Sequence, residues 1–229
     1  MDNTATWGAA CAMHDAPYLD DLLAAVSPPG KACFYCERDR YRDIDHVRPK
    51  RHYPEQCFVW GNYIYACTIC NQDYKKDTYA VFDITGAIVK FDRSLPFSSL
   101  VPAGDHVLID PRSEDPLNFL RLDLSTGRFT AIGNARSVLR GEFTRELFDL
   151  NETTLARIRV AAYETFKHYL MKFQVANQAN DNAATQRVLN EIRDLPHPTV
   201  LVEMRLQSAN DVMLAAHFIN VPADIGQRP

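Results

Sequence analysis

The chain has 229 residues and a formal net charge of −4, with 46% hydrophobic and 24% charged residues. A chain of this length can bury a sizeable core, as one large domain or two smaller ones, and needs no disulfides to fold. The composition excludes low-complexity and repeat proteins, and the acidic balance argues against a chain that coats nucleic acid by bulk positive charge.

The predicted elements divide the sequence into four segments. Residues 1–30 form a helical lead-in, with a short helix over 17–26 that the run Ser-Pro-Pro-Gly ends. Residues 31–80 form a cysteine-rich module, in which a turn and a short strand precede a second strand and a helix near the second cysteine pair. Residues 81–133 form a β-rich connector. In YAVFDITGAIVKF and NFLRLDLSTGRFTAI a Thr-Gly dipeptide lies between two stretches of alternating apolar residues, which predicts two β-hairpins.

The fourth segment, residues 134–229, has the apolar spacing of helices. After Asn134 we expect a helix, then a second one with Asn151 as its N-cap, a third over 182–195, and a last one over 199–219. The sequence therefore predicts an α+β fold with a metal-centred module, a β-hairpin connector and a helical C-terminal half.

No stretch of the chain indicates export or membrane insertion. The N-terminal segment has no basic start and no long apolar run, and nothing elsewhere approaches the roughly 18 apolar residues of a membrane span. We therefore expect a cytoplasmic protein without a membrane partner. In that reducing compartment, closely spaced cysteines bind metal more often than they pair with each other.

Two CxxC pairs, Cys33–Cys36 and Cys67–Cys70, stand 30 residues apart. Two such knuckles closing one tetrahedral Cys₄ site would satisfy Zn²⁺ fully, so the predicted site is structural and not catalytic. A redox CxxC is the alternative, but that motif occurs singly and in a βαβ setting that this sequence lacks.

Three other residues near these pairs have open assignments. His52 or Cys57 could replace one of the four zinc ligands. Otherwise Cys11 and Cys57 are interpreted as plain core or surface thiols.

Polar residues suited to phosphodiester hydrolysis lie between and just after the knuckles. Asp45 and Asn71 offer the hard oxygen ligands that Mg²⁺ prefers, and His46 can accept a proton at cellular pH. Neighbours on a strand point to opposite faces, so Asp45 and His46 can share a site only if the chain bends after them. Individually His46, Asn62 and Asn71 are as easily explained as turn or surface residues, and it is their order inside the double knuckle that favours chemistry.

The sequence resembles HNH endonucleases with the ββα-metal fold, through CFYC, DIDH, GNY and CTICN followed by Lys75. More narrowly, the segments CFYCERDRYRDIDHVRPKRHYPE and WGNYIYACTICNQDYKKD are similar to the PtuB-like HNH subunit of Septu and some retron anti-phage systems. The core motif covers about 45 residues, and a weaker similarity extends to about residue 165.

The resemblance implies a role for each of these residues. His46 would be the general base, Asn62 would orient it or fix its loop, and Asp45 with Asn71 would bind a catalytic Mg²⁺ or Mn²⁺ ion. A PtuA-like ATPase would be the partner subunit. ATP hydrolysis would belong to that partner, because this chain has no Walker A pattern.

The sequence departs from the family at Lys75, where many HNH enzymes have a third metal-binding histidine. Either two residues, waters and phosphate oxygens complete the metal site, or Lys75 contacts the substrate backbone. Residues 31–76 contain nine Lys or Arg and six Asp or Glu, against 16 and 23 in the rest of the chain. This local basic excess predicts electrostatic contacts to the nucleic-acid backbone from Arg48, Lys50, Arg51 and Lys75.

A function of another class fits the same residues. The module could be a noncatalytic zinc-binding unit for nucleic acid or protein, in which His46, Asn62 and Asn71 serve as scaffold. The motifs do not separate DNA from RNA or tRNA as the substrate.

Overall fold

The computed structural model describes residues 32–38, 43–96 and 99–227, together with Leu22, Leu23, Ala25 and Ser27. Within these residues the chain forms three small antiparallel sheets and five α-helices, which is an α+β arrangement. Most of the predicted helix over 17–26, and Cys11, lie outside the described residues.

The first sheet is a pair of strands, β1 (Asp43–His46) and β2 (Tyr63–Ala66), in which Asp45 lies opposite Ile64 and His46 opposite Tyr63. All of β2 is buried, and a π-helix over Ile69–Lys75 begins three residues after it. The predicted order of strand, strand and helix around the second cysteine pair is therefore confirmed.

The other two sheets lie in the predicted β-rich segment, except that the first of their strands begins two residues before it, at Tyr79. They comprise a three-stranded sheet in the order β4-β3-β5 and the pair β6-β7, with β3 at Tyr79–Phe82, β4 at Ile88–Phe91, β5 at Asp105–His106, β6 at Leu120–Asp123 and β7 at Arg128–Ala131.

An aspartate closes each Thr-Gly turn. Asp83 Oδ1 accepts hydrogen bonds from the backbone and hydroxyl of Thr85, and Asp123 Oδ1 accepts the same pair from Ser125. Gly127 follows in the left-handed region, at φ +68°, where glycine has no steric cost. Both predicted hairpins are confirmed, because short local turns of this kind depend on few residues.

Five helices make up the C-terminal part, namely α1 (Ala135–Leu147), α2 (Thr153–Gln178), α3 (Asn182–Asp194), α4 (Pro198–Ser208) and α5 (Val212–His217). The single helix predicted over 199–219 is wrong. The chain leaves the helical conformation before Asp211, whose carboxylate caps α5 through the backbone N–H groups of Met213 and Leu214.

The predicted N-cap of α2 is also wrong by one residue. Glu152 caps the helix, accepting hydrogen bonds from Thr154 N at 2.7 Å and Leu155 N at 2.9 Å. The amide of Asn151 instead bonds both the N–H and the carbonyl of Phe129 on β7. Local spacing predicts that this side chain caps the helix, but it makes a tertiary contact instead.

One continuous apolar core joins the cysteine-rich module to the helices. Between the first two cysteines, the ring of Tyr35 stacks on Phe148 just after α1, with 4.0 Å between centroids. Glu37, just after the second cysteine, accepts hydrogen bonds from the backbone N and hydroxyl of Thr199 on α4. The first knuckle is therefore bound to two parts of the helical region.

Candidate metal centre and neighbouring carboxylate site

The four cysteines of the two CxxC pairs converge in one buried cluster. Their sulfurs all lie within 4.8 Å of one another, and Cys36 Sγ is 3.8 Å from Cys67 Sγ. Each pair sits at a tight turn: Glu37 N bonds Cys33 O after the first, and the π-helix begins at the second. Four converging thiols with no disulfide among them fit a metal ion such as zinc.

The electrostatics of this cluster favour a bound cation. Burial raises the pKa of the Cys33 thiol, which disfavours a lone buried thiolate. Hydrogen bonding from Cys33 lowers the pKa values of Cys36 and Cys67. Four sulfurs packed this closely can all ionise only when a cation neutralises them.

Neither alternative ligand belongs to the cluster. Cys57 is buried and disulfide-bonded, so its interpretation as a plain thiol is wrong. The imidazole of His52 packs edge-on against Phe91, with 5.1 Å between ring centroids, and burial lowers its pKa.

Asp45 and His46 end β1 and make contacts in different directions. The imidazole of His46 lies 4.8 Å from the ring of Tyr63, and its Nε2 is 3.1 Å from Cys57 O. The chain then turns, as the sequence predicts, with Val47 N bonded to Asn62 O. Both residues are buried, with 6% of Asp45 and 4% of His46 exposed.

The carboxylate of Asp45 is surrounded by donors from its own chain. Tyr35 Oη donates to Oδ2 at 2.9 Å, and the backbone N of His46 donates to Oδ1 at 2.8 Å. Lys75 Nζ lies 2.9 Å from Oδ2 and 3.1 Å from Oδ1. Both oxygens therefore have full partners, including a positive charge.

The position of Lys75 differs most from the prediction. Its side chain is fully buried, at 0% exposure, and the ammonium also donates to His46 O at 2.6 Å. In this arrangement Lys75 cannot contact a nucleic-acid backbone, because it neutralises Asp45 inside the protein. The π-helix places it there, at the position where the resemblance implies a histidine in many HNH enzymes.

Asn71 does not share a partner with Asp45. Its Nδ2 donates to Asp43 Oδ2 at 3.1 Å, and Gln72 Nε2 donates to the same oxygen at 2.9 Å. Asp43 and Asp45 lie on the same face of β1, because alternate residues of a strand share a face. That alternation was the sequence signal for a contact between Asn71 and Asp43.

A divalent ion at Asp45 and Asn71 does not fit this donor set. A carboxylate has about four lone-pair positions, and those of Asp45 are directed at a hydroxyl, an amide and an ammonium. A Mg²⁺ or Mn²⁺ ion would have to displace Lys75 and would meet its charge.

Asn62 holds the loop that follows His46. Its Oδ1 accepts from Arg48 N at 2.7 Å, and its Nδ2 donates to Arg48 O and Gln56 O at 3.1 Å each. Asn62 is only 4% exposed, and these three hydrogen bonds satisfy its buried amide oxygen and nitrogen. This amide ties the segment after β1 to the turn before β2.

The predicted backbone-contacting residues differ in exposure. Lys50 is exposed, whereas Arg48 and Arg51 are half-buried. Arg51 Nη2 lies 3.3 Å from Arg93 O and 3.5 Å from Leu95 O, so part of its guanidinium holds the loop after β4. Contact with nucleic acid remains a prediction for these three residues.

Comparison with known proteins gives one short similarity. No family model and no solved structure matches the chain. Protein ea31 of Escherichia phage lambda is 33% identical over 72 residues, which cover 31% of this chain and 23% of the phage protein. The chain thus spans less than a quarter of that relative, and the similarity defines no family. In the part of the chain that the structure describes, no helix combines the length and apolar character of a membrane span.

Proposed function

We propose that this protein is an HNH-type endonuclease that hydrolyses phosphodiester bonds of DNA or RNA and holds a structural Zn²⁺ ion at its four clustered cysteines. Support comes from the sequence motifs and from their arrangement. The cysteine cluster connects a hairpin that ends in Asp45 and His46 to a helix that carries Asn71 and Lys75.

The observation that carries this proposal is the contact between His46 Nε2 and Cys57 O. A carbonyl oxygen only accepts hydrogen bonds, so Nε2 carries the imidazole proton. In the neutral ring, Nδ1 is then the atom that accepts a proton. A histidine held in one tautomer by a backbone carbonyl is prepared to act as a general base.

In the proposed reaction, His46 Nδ1 takes a proton from water while the water oxygen attacks the phosphorus. The bond from phosphorus to the 3′ oxygen breaks and that oxygen takes a proton from solvent, which leaves a 5′-phosphate and a 3′-hydroxyl. Asn62 keeps the loop beside His46 in place through its bonds to Arg48 and Gln56. The exposed Lys50 would contribute positive charge near the nucleic-acid backbone.

The catalytic Mg²⁺ or Mn²⁺ ion that the resemblance implies is not part of this mechanism. When bound in such a site, a divalent ion would neutralise charge on the scissile phosphate. The occupied donor set of Asp45 provides no place for it, so every step above uses residues of the chain alone.

A second function is favoured by the ion pair between Lys75 and Asp45 and by the burial of His46. The module could bind nucleic acid or protein without cleaving anything, with these side chains serving as scaffold. Such a module would need zinc only. Cleavage that depends on His46 separates the two functions.

We also propose a PtuA-like ATPase as partner in the cytoplasm, as part of an anti-phage defence complex. The helical part has exposed apolar side chains suited to docking, with Met171 and Val175 on α2 and Val212 and Met213 on α5. These helices adjoin, because Gln174 Nε2 donates to Ala216 O at 2.6 Å. Co-purification of this protein with an ATPase encoded beside it tests the association.

The test of the proposed chemistry is a cleavage assay on DNA, RNA and tRNA, with and without Mg²⁺ or Mn²⁺, using zinc-loaded protein and its co-purified partner. We expect His46→Ala to lower the rate at least about 100-fold, as the loss of a general base does. His46→Gln keeps an N–H donor at the Nε2 position for Cys57 O but has no basic nitrogen, and should be equally impaired. His168→Ala, at an exposed site on α2, is the matched control and should cut normally. Wild-type cleavage by His46→Ala with its zinc intact would refute the mechanism.

A further inference from the structure

Three consecutive apolar side chains are exposed on the loop beside His46. Phe58 is 59%, Val59 43% and Trp60 38% exposed, and we call residues 58–60 the aromatic loop. Isolated exposed apolar residues are common on proteins, but an exposed apolar run that includes two aromatic rings is typical of a binding surface.

Hydrogen bonds close the backbone of the aromatic loop at both ends. Val59 N bonds Gln56 O at 3.2 Å, and Asn62 N bonds Val59 O at 2.9 Å. Asn62 Nδ2 also donates to Gln56 O, across the base of the loop. The backbone that carries the rings is therefore held by its own hydrogen bonds, which lowers the cost of ordering it on binding.

The aromatic loop is directly connected to the proposed base. Cys57, the residue immediately before it, provides the carbonyl that contacts His46 Nε2. Asn62, two residues after Trp60, bonds the backbone of Arg48. A ligand on the rings would consequently lie beside the segment that carries His46.

The charge around the aromatic loop suits an anionic ligand. The guanidinium carbon of Arg112 lies 4.8 Å from the centre of the Trp60 ring, and Arg112 Nη1 donates to Tyr63 O at 2.9 Å. From residue 46 to 62 the chain has three basic residues, Arg48, Lys50 and Arg51, and one acidic residue, Glu55. Aromatic rings among arginines and lysines are the combination that binds unpaired nucleotides.

We infer that the aromatic loop is a stacking platform for unpaired bases, with Phe58 and Trp60 as the stacking rings and the guanidinium of Arg112 over one face of Trp60. The inference rests on the proposed function and specifies its substrate class, namely single-stranded nucleic acid or unpaired nucleotides in a folded RNA. A duplex does not fit the platform, because its bases already stack on one another.

Binding of fluorescein-labelled oligo-dT and oligo-U of about 15 nucleotides, and of a duplex of equal length, tests the platform. The zinc-loaded wild-type protein should bind the single strands more tightly than the duplex. Phe58→Ala/Trp60→Ala should weaken single-strand binding at least about tenfold, because each stacked base contributes measurably. Trp60→Phe should retain most of the affinity. Ile84→Ala removes an even more exposed apolar side chain from the β3–β4 turn and should change nothing.

A second measurement detects the stacking itself. The chain has two tryptophans, Trp7 and Trp60, so Trp7→Phe leaves Trp60 as the reporter. Its fluorescence should be quenched by oligo-dT, and the quenching should follow the binding curve. Because the altered rings are exposed, the thermal melting temperature should stay within about 2 °C of wild type, and a variant that meets this condition is folded.

Three outcomes would overturn the platform. These are wild-type single-strand affinity in the Phe58→Ala/Trp60→Ala variant, binding without quenching of Trp60, and self-association of the chain that the double variant abolishes while nucleic-acid binding persists. Failure of the nuclease proposal is separable. If His46→Ala still cleaves but the double variant loses single-strand binding, the mechanism fails and the platform stands.

Discussion

The cysteine-rich module has two buried sites, the four cysteine sulfurs and the carboxylate of Asp45, and they differ in how negative charge can be neutralised. The four cysteine sulfurs lie within 4.8 Å of one another. The carboxylate of Asp45 has Lys75 Nζ at 2.9 Å, a tyrosine hydroxyl and a backbone amide. We expect the cysteine cluster to need a bound metal ion, whereas the carboxylate site is complete as folded.

This difference shows why a motif predicts the two sites unequally well. A CxxC pair brings two ligands together through a local turn. The fold then only has to bring the two pairs close to each other. A carboxylate on one element and an amide on another can share an ion only when the two elements are precisely aligned. One lysine among the aligned residues neutralises the carboxylate instead. We therefore expect separate effects from removing the metal, from removing the charge of Lys75, and from replacing Lys75 with a metal ligand.

The largest effect is expected at the cysteine cluster. Cys70→Ser, or removal of zinc by a chelator, should destabilise the protein by several kcal/mol, because metal binding and folding are linked. Thermal denaturation together with metal analysis measures both quantities. Re-addition of zinc should restore the chelated wild type and fail to restore Cys70→Ser. A chelated protein that melts at the wild-type temperature would contradict the structural role of the metal.

An intermediate effect is expected at the carboxylate site. Lys75→Met leaves Asp45 buried without its counter-charge and should cost about 3–5 kcal/mol in the free energy of unfolding. Adding Asp45→Asn should recover most of this loss, since the neutral pair has no uncompensated charge. Urea unfolding of the wild type, both single variants and the double variant gives the coupling energy. Strict additivity of the two substitutions would show that the ion pair is not coupled.

The smallest effect is expected for ion binding at Asp45. Zinc-loaded wild type should show no Mn²⁺ site that depends on Asp45, because Lys75 occupies its oxygens. Lys75→His removes the ammonium and adds a ligand, and should raise Mn²⁺ affinity at least about tenfold, or about 1.4 kcal/mol. Electron paramagnetic resonance of free Mn²⁺ during titration measures this, and Lys75→His/Asp45→Asn is the control. Mn²⁺ binding by wild type that Asp45→Asn abolishes would reverse the assignment.

The fold could be predicted where short-range patterns determine it. The Thr-Gly hairpins and the strand-strand-helix order were predicted correctly, because Asp, Gly and alternating apolar residues act within a few positions. Helix boundaries failed where a side chain had a distant partner. Asn151 bonds Phe129 on β7, and that contact is invisible in local spacing.

The site could be predicted as a set of residues but not as a set of contacts. The cysteine cluster and the loop-holding Asn62 lie where the motif places them. The burial of Lys75 could not be foreseen, because a lysine next to another lysine on a helix is usually solvated. Tyr35 was missed because a residue inside a CxxC pair has no sequence signal for its contact with Asp45.

Tyr35 lies within the first knuckle, donates its hydroxyl to Asp45, and stacks its ring on Phe148 beyond α1. A displacement of that aromatic stack would be passed mechanically to the carboxylate through a single side chain, without crossing solvent. A truncation before residue 148 would therefore remove the ring against which the first knuckle packs.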